Sequence, residues 1–265
     1  MKFTDICRVL DEIAPLRLAE DWDNSGVQLY SGNGDISRIL CAMEINDAVI
    51  DEAERKGAGL IVTHHPLLLD GIRNFSVSDV PSRYILRLAK LGISAYAAHT
   101  CFDVADGGIN DYLAKLIGLE NVRKACPLKA EDPDTMLFRI GEVQMPCKLS
   151  EYAEFLKTRL SKSPGLRVCG DPERIIRKVC VCGGSGGSYW REALAEGADL
   201  YITGELKHHD AGPALDSGLC LIDATHAGTE CWFTENMAEK LRRSLGDEVL
   251  VLESESEINP FKFTV

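Results

Sequence analysis

The sequence predicts an α/β protein built as two similar lobes, and three observations carry that expectation. Apolar runs of four to six residues alternate with helical-period segments and glycines, as in RILCAME from Arg38, then NDAVIDEAERKG, then AGLIVTHH. That alternation is the signature of β-α-β units with buried, largely parallel strands. GAGLIVT from Gly57 then returns as GADLYIT from Gly197, each after a strand-like and a helix-like run, and the same alignment sets Glu52-Ala53 on Glu192-Ala193. Finally, His99 with Asp103 is matched by His226 with Glu230, each a histidine followed four residues later by a carboxylate, with a shorter loop in the second copy. The expected product of this duplication is a first lobe over residues 1–125 joined by 231–265, a second lobe over 126–230, and a ligand site in the cleft between them. Against duplication stands the general resemblance of β-α-β units by composition alone.

Taken from the start of the chain, MKFTDICRVLDEIAP sets acids among its apolar residues, so it is not expected to act as a signal peptide. No later stretch approaches the ~18 uninterrupted apolar residues of a membrane helix, and no membrane partner is expected. The 265 residues, 45% hydrophobic and 26% charged, suffice for one large or two medium cores. Ten cysteines are scattered without a C-x-x-C pair, which favours reduced thiols in a cytoplasmic protein over a disulfide framework. A formal net charge of −12 argues against a direct nucleic-acid partner. An anionic small-molecule substrate would need metal ions or helix N-termini to hold it.

All six histidines fall in clusters, each at or just after a predicted strand, the edge where open α/β sheets bind ligands. In IVTHHPLLLDG from Ile61 a buried strand stops at His64 and His65. Neighbouring side chains of a regular strand face opposite ways, but Pro66 ends the ladder and leaves the two imidazoles free to diverge toward two ions. A hydrogen-bonded histidine pair is the alternative. In AAHTCFDVADGGIND from Ala97, His99 and Asp103 are expected in a loop before a helix that starts after Asp106. Asp103 is there the easier ligand, and His99 a residue that orients a carboxylate or a water.

CVCGGSGGSYWREALAEG from Cys180 reads as a strand, a glycine-rich turn and a helix. The turn, Gly183, Gly184, Ser185, Gly186 and Gly187, is a candidate nucleotide contact through its backbone N–H groups, although it is neither G-x-G-x-x-G nor a Walker loop. A tight structural turn is the competing reading. In TGELKHHDAG from Thr203, His208 and His209 stand about 100° apart around a helix, so at most one faces a cleft; Glu205 caps the helix start or serves catalysis. DATHAGTECWF from Asp223 leaves the strand LCLIDA for a helix. If that helix begins near His226, then His226 and Glu230 share a face and reach a metal together; a surface ion pair or cap is the alternative. Imidazole and carboxylate donors suit Zn, Mn, Fe or Mg.

Read in order, Trp22-Asp23-Asn24-Ser25-Gly26, Thr-His-His-Pro, His-Thr-x-x-Asp, Thr-Gly-Glu with His-His, and His-x-x-Thr-Glu resemble the GTP cyclohydrolase I type 2 homologue family over residues 21 to 230. The resemblance implies two related α/β/α lobes, a toroidal homohexamer and two divalent metal ions per chain between the lobes. By position it implies His65 and Asp103 on one metal, His64 and His226 on the other, and Glu230 bridging both. Where the family usually has glycine, and often an aromatic, around the last histidine, this sequence has Thr225 and Ala227, and Phe102 stands where leucine is commoner.

Two functions from different classes follow. As an enzyme, the chain is a metal-dependent hydrolase acting on a nucleotide, with GTP attacked at guanine C8 and formate released. His99, His208 and His209 are then the candidates for proton transfer and the glycine-rich turn the candidate seat of the triphosphate. Phosphoester hydrolysis is a further option on the same ligands. As a non-enzyme, the chain is a metal carrier, metal-insertion or scaffold protein.

Overall fold

Both copies of the β-α-β pattern fold as parallel strands connected by helices, and each builds its own sheet. The structure is a computed structural model that describes residues 1–69, 71, 74–129, 132–256 and 259–261. The chain divides into two units, Met1–Asp106 with Trp232–Ile258, and Gly107–Cys231 with Asn259–Val265.

The first unit holds α1 (Phe3–Ile13), β1 (Gly26–Leu29), β2 (Arg38–Ala42), α2 (Asp47–Lys56), β3 (Leu60–Thr63), α3 (Val80–Leu91), β4 (Ser94–Ala97) and α4 (Thr100–Val104). Its sheet runs β1-β4-β3-β2-β11, where β11 is Leu250–Glu253 from the end of the chain. Strands β2, β3 and β4 are parallel, with Leu40 beside Ile61 and Ile61 beside Ala95, while β1 is antiparallel to β4. Every residue of β3 and β4 is buried, as central parallel strands covered on both faces require. Helix α2 starts where the Asn46 side chain accepts from Val49 N and stops at Gly57, whose φ of 66° only glycine adopts freely. Its buried Val49, Ile50 and Ala53 pack with Leu40, Ile61, Leu88 and Ala95 into one core. Each Val, Leu or Ile side chain so withdrawn from water contributes roughly 1.5–3 kcal/mol.

The second unit holds α5 (Ile109–Leu116), β5 (Leu119–Lys129), β6 (Asp132–Lys148), α6 (Leu149–Arg159), β7 (Arg167–Cys169), β8 (Ile175–Val181), α7 (Trp190–Ala195), β9 (Leu200–Thr203), α8 (His208–Asp216), β10 (Cys220–Asp223) and α9 (His226–Glu230). Its sheet runs β5-β6-β8-β9-β10-β7, with β8, β9 and β10 parallel and β7 antiparallel to β10. The duplication is therefore legible in topology. Parallel β2-β3-β4 with antiparallel β1 corresponds to parallel β8-β9-β10 with antiparallel β7. The long β5-β6 hairpin extends the second sheet and β11 extends the first. Among the described residues no helix is long and apolar enough to cross a membrane.

Two local expectations change. The segment after His99 is not a loop: Thr100–Val104 forms the short helix α4, because Thr100, Cys101, Phe102 and Val104 all turn into the interior. The helix expected after the strand LCLIDA is also broken. It stops at Glu230, and α10 (Phe233–Leu245) begins after Trp232, where the chain passes into the first unit.

Glu52, on α2, ties down the end of β11. Its fully buried carboxylate accepts from Ser254 Oγ at 2.7 Å, from the amides of Glu255 and Ser256 at 3.1 Å, and pairs with Lys56 Nζ at 2.6 Å. Burial alone would raise its pKa, but these donors outweigh burial and hold it at about 2 against an ordinary 4.5. A carboxylate depressed on folding adds stability above its unfolded pKa and loses it as pH falls through the folded value. Glu52→Ala should thus cost about 2–4 kcal/mol at neutral pH, since it strands buried donors. Thermal melts of wild type and variant should converge between about pH 4.5 and pH 2; a gap that stays constant over that window refutes the assignment.

Candidate metal centre

In the first unit, β3 ends at Thr63 and releases the histidine pair. Thr63 Oγ1 donates to the His65 carbonyl at 2.8 Å, and the His65 amide to the Met43 carbonyl at 2.9 Å, which fixes the backbone of the turn. The His64 ring is fully buried against Phe233, and its Nδ1 lies 3.0 Å from the Ala98 carbonyl. A carbonyl only accepts, so Nδ1 carries a proton, and in the neutral ring that leaves the lone pair on Nε2. That Nε2 stands 3.6 Å from Asp103 Oδ1 on α4. Donors sharing a tetrahedral ion with bonds of about 2.1 Å lie about 3.4 Å apart, so this spacing suits a cation between them.

His65 and His99 complete the group. Ring centroids are 5.2 Å apart for His64–His65 and His64–His99, and 5.7 Å for His65–His99. One ligand atom from each of the three histidines lies within 4.8 Å of the others. Each Nδ1 faces outward to an oxygen: Ala98 O for His64, Asp23 Oδ1 at 2.8 Å for His99, and Glu44 Oε2 at 3.8 Å for His65. Imidazole nitrogens gathered this closely, with Asp103 beside His64, are donors of the kind that suits a borderline divalent ion.

Asp23 is the least visible member of this site in sequence and the most constrained in structure. Its oxygens accept from His99 Nδ1, Ser25 Oγ at 2.7 Å, Thr100 N at 3.2 Å and Thr100 Oγ1 at 2.6 Å. Burial would raise its pKa, but the bonds from His99, Thr100 and Ser25 outweigh it and carry the carboxyl well below the ordinary range. The resulting anion holds the His99 Nδ1–H and so presents Nε2.

In the second unit, β10 ends at Asp223 and α9 begins at His226, as the spacing of His226 and Glu230 anticipates. One helical turn apart, His226 Nε2 and Glu230 Oε2 meet at 2.8 Å. His226 Nδ1 lies 2.8 Å from Glu205 Oε1, and Glu205 also accepts from Ser185 Oγ at 3.0 Å. Glu205 thus neither caps α8 nor stands alone; it orients His226, the role a carboxylate takes behind a metal-ligating imidazole.

The glycine-rich turn is closely packed against its neighbours. Gly183 N donates to Asn110 Oδ1, Gly184 N to Thr229 Oγ1 and Gly186 N to Thr203 Oγ1, so three of the amides expected to face a phosphate are committed to protein oxygens. A Cβ at Gly184 would fall 2.2 Å from Glu230 Oε1, and one at Gly187 2.3 Å from the Glu205 carbonyl. The outer side of the turn, at Ser185 and Gly187, joins Arg167, Glu205, Lys207 and His226 around a cavity of about 530 Å³. His208 and His209 are exposed at the start of α8. Among the described residues they join neither group able to hold a metal.

Two α/β lobes carrying histidine-rich residue groups able to hold a metal ion define the class. Residues 1–260 match the family model described as Duf34/NIF3 (NGG1p interacting factor 3), and the chain belongs to that family. A relative in Clostridium perfringens called GTP cyclohydrolase 1 type 2 homolog is 32% identical over 99% of this chain and 100% of its own length. One of the same name in Streptomyces coelicolor is 36% identical over 91% of this chain and 85% of its own. Among solved structures, a Bacillus cereus protein related to NIF3 has the same fold, with a TM-score of 0.91 at 24% identity over 100% of this chain and 99% of that one. Reduced HcgD from Methanocaldococcus jannaschii superposes with a TM-score of 0.80 at 32% identity, over 96% of this chain and 98% of that one. The family expected from the five ordered motifs is the family found.

Proposed function

We propose that the chain binds two divalent metal ions and uses them to hydrolyse a nucleotide, with GTP opened at guanine C8 and formate released as the first candidate reaction. The observation that carries this reading is the gathering of the His64 and His65 donor atoms within 4.8 Å of one another, with His64 Nε2 3.6 Å from Asp103 Oδ1. In this reading His64, His65 and Asp103 of the first unit and His226 and Glu230 of the second are the ligands. Nitrogen and oxygen donors of this kind accept Zn, Fe, Mn or Mg. Bound divalent ions lower the pKa of a water and offset developing negative charge. His99, with Nδ1 held by Asp23, keeps Nε2 ready to take or return a proton. The names of the relatives support a nucleotide substrate, the family resemblance supports a homohexamer, and ten free cysteines support a reducing, cytoplasmic setting.

Elemental analysis of purified protein should find close to two divalent ions per chain, and fewer in Glu230→Ala. Formate and phosphate release from GTP and from a panel of phosphoesters should then be followed over a pH series, with wild type and Asp103→Ala prepared alike. Formate release should rise toward neutral pH, follow metal content, and fall at least about 100-fold in Asp103→Ala. Phosphate without formate would reassign the chain as a phosphoesterase. No turnover, with ready transfer of metal to an apo acceptor, would make it a carrier.

A further inference from the structure

We propose that Thr225 is a positioning residue for the His226–Glu230 pair, because its backbone is held in a glycine-like conformation while its hydroxyl caps the short helix that carries both side chains. The proposal rests on the reading of that pair as metal ligands.

Thr225 stands at φ 64° and ψ 149°, a region that residues with a Cβ avoid and β-branched residues most of all. Such a conformation persists only where the surroundings over-determine it, and here they do. The Thr225 amide donates to Asp223 Oδ1 at 2.8 Å, and Asp223 Oδ2 accepts from Leu206 N at 3.0 Å and from Arg167 Nη2. Ala224 is pinned on both sides, its amide to the Thr203 carbonyl at 2.8 Å and its carbonyl by Ser163 Oγ at 2.8 Å. The Thr225 carbonyl accepts from Thr229 N at 3.1 Å. The outcome is a sharp reversal between the end of β10 at Asp223 and the start of α9 at His226.

Glycine would take this backbone without strain but would bring no hydroxyl, and the threonine hydroxyl is used. Thr225 Oγ1 accepts from the Gly228 amide at 3.1 Å and lies 3.3 Å from Ser163 Oγ. The capped residue is itself held by close approach, since a Cβ at Gly228 would fall 2.6 Å from Ser163 Cβ. Helix α9 has five residues, too few to hold itself through internal hydrogen bonds because nucleation is costly. Its geometry therefore depends on the cap. The helix begins at His226 and ends at Glu230, so the cap sets the 2.8 Å approach of Nε2 to Oε2.

The test compares Thr225→Ser, Thr225→Ala and Thr225→Gly by two measurements: Zn²⁺ or Mn²⁺ affinity by calorimetric titration against a competing chelator, and thermal melting of the metal-free protein. Serine keeps the hydroxyl and should bind metal as wild type does. Alanine and glycine should each weaken affinity about 10-fold or more, the effect of removing a group that orients a ligand. Glycine should nonetheless melt above alanine, because it accepts the backbone conformation. A merely structural role would make affinity follow melting temperature; here glycine recovers the melting temperature without the affinity. If alanine does not fold, glycine alone decides. Wild-type affinity in the glycine variant overturns the proposal while leaving the ligand reading intact. A wild-type protein that binds neither ion overturns the ligand reading and this proposal with it.

Discussion

Gly184→Ala should destabilise the protein by about 2–4 kcal/mol and displace Glu230. Two costs combine. The residue stands at φ +62°, where any L side chain is disfavoured by roughly 1–2 kcal/mol. The added Cβ would also lie 2.2 Å from Glu230 Oε1 and 3.8 Å from the His226 ring, so a carboxylate that is 3% exposed and in contact with His226 must move. The turn cannot retreat, because Gly183 N, Gly184 N and Gly186 N are held by Asn110, Thr229 and Thr203. Gly34→Ala is the control. Its Cβ would meet nothing within 4 Å and its φ is not left-handed, so alanine there should change stability by less than about 0.5 kcal/mol. Urea melts and metal titration on both variants decide the matter. A Gly184→Ala protein with wild-type stability and metal affinity would mean that the turn does not press on Glu230.

What could be read in the sequence was what short-range pattern encodes. The buried runs at β3 and β9 announced themselves, and so did the repeat between them, because a parallel strand covered on both faces has to be continuously apolar. The His226–Glu230 pair was legible because helical spacing alone brings i and i+4 together. Helix α4 was not, since five residues following His99, which gives no side-chain cap, carry no periodic signal. The glycine-rich turn was ambiguous for a different reason. Glycine is required both where a phosphate approaches backbone and where another side chain does, and pattern alone does not separate the two. Asp23 and Glu205 were beyond reach as partners: Asp23 pairs with a histidine 76 residues away and Glu205 with one 21 residues away, and such pairings are made by the fold. The one available signal for Asp23 was its place in the Trp22–Gly26 motif, which marks it without saying what it touches.

That pairing supports a further expected result, with Asp23→Asn as the variant. Asparagine keeps the size and most of the hydrogen bonding of aspartate, so the fold should survive. Its amide must, however, choose an orientation. Three donors converge on Oδ2, namely Ser25 Oγ, Thr100 N and Thr100 Oγ1, whereas Oδ1 meets His99 Nδ1. The amide oxygen therefore takes the Oδ2 position and the NH₂ faces His99. A donor there requires Nδ1 to accept, which drives the proton to Nε2 and removes the lone pair that His99 presents beside His64 and His65. Imidazole ¹⁵N shifts should report this exchange of tautomers directly. Any activity that relies on His99 as a proton acceptor should fall about 100-fold or more, by analogy with other carboxylate–histidine pairs. In wild type the Asp23 carboxyl is held well below the ordinary range, so it stays ionised throughout neutral pH and an acid limb of the rate profile there cannot come from its protonation. Its contribution to stability is present above the ordinary carboxylate pKa and is lost only as acid approaches the depressed one. Melts of wild type and Asp23→Asn should therefore draw together only in strong acid. An unchanged His99 tautomer in the variant, with undiminished activity, would show that Asp23 serves the fold alone.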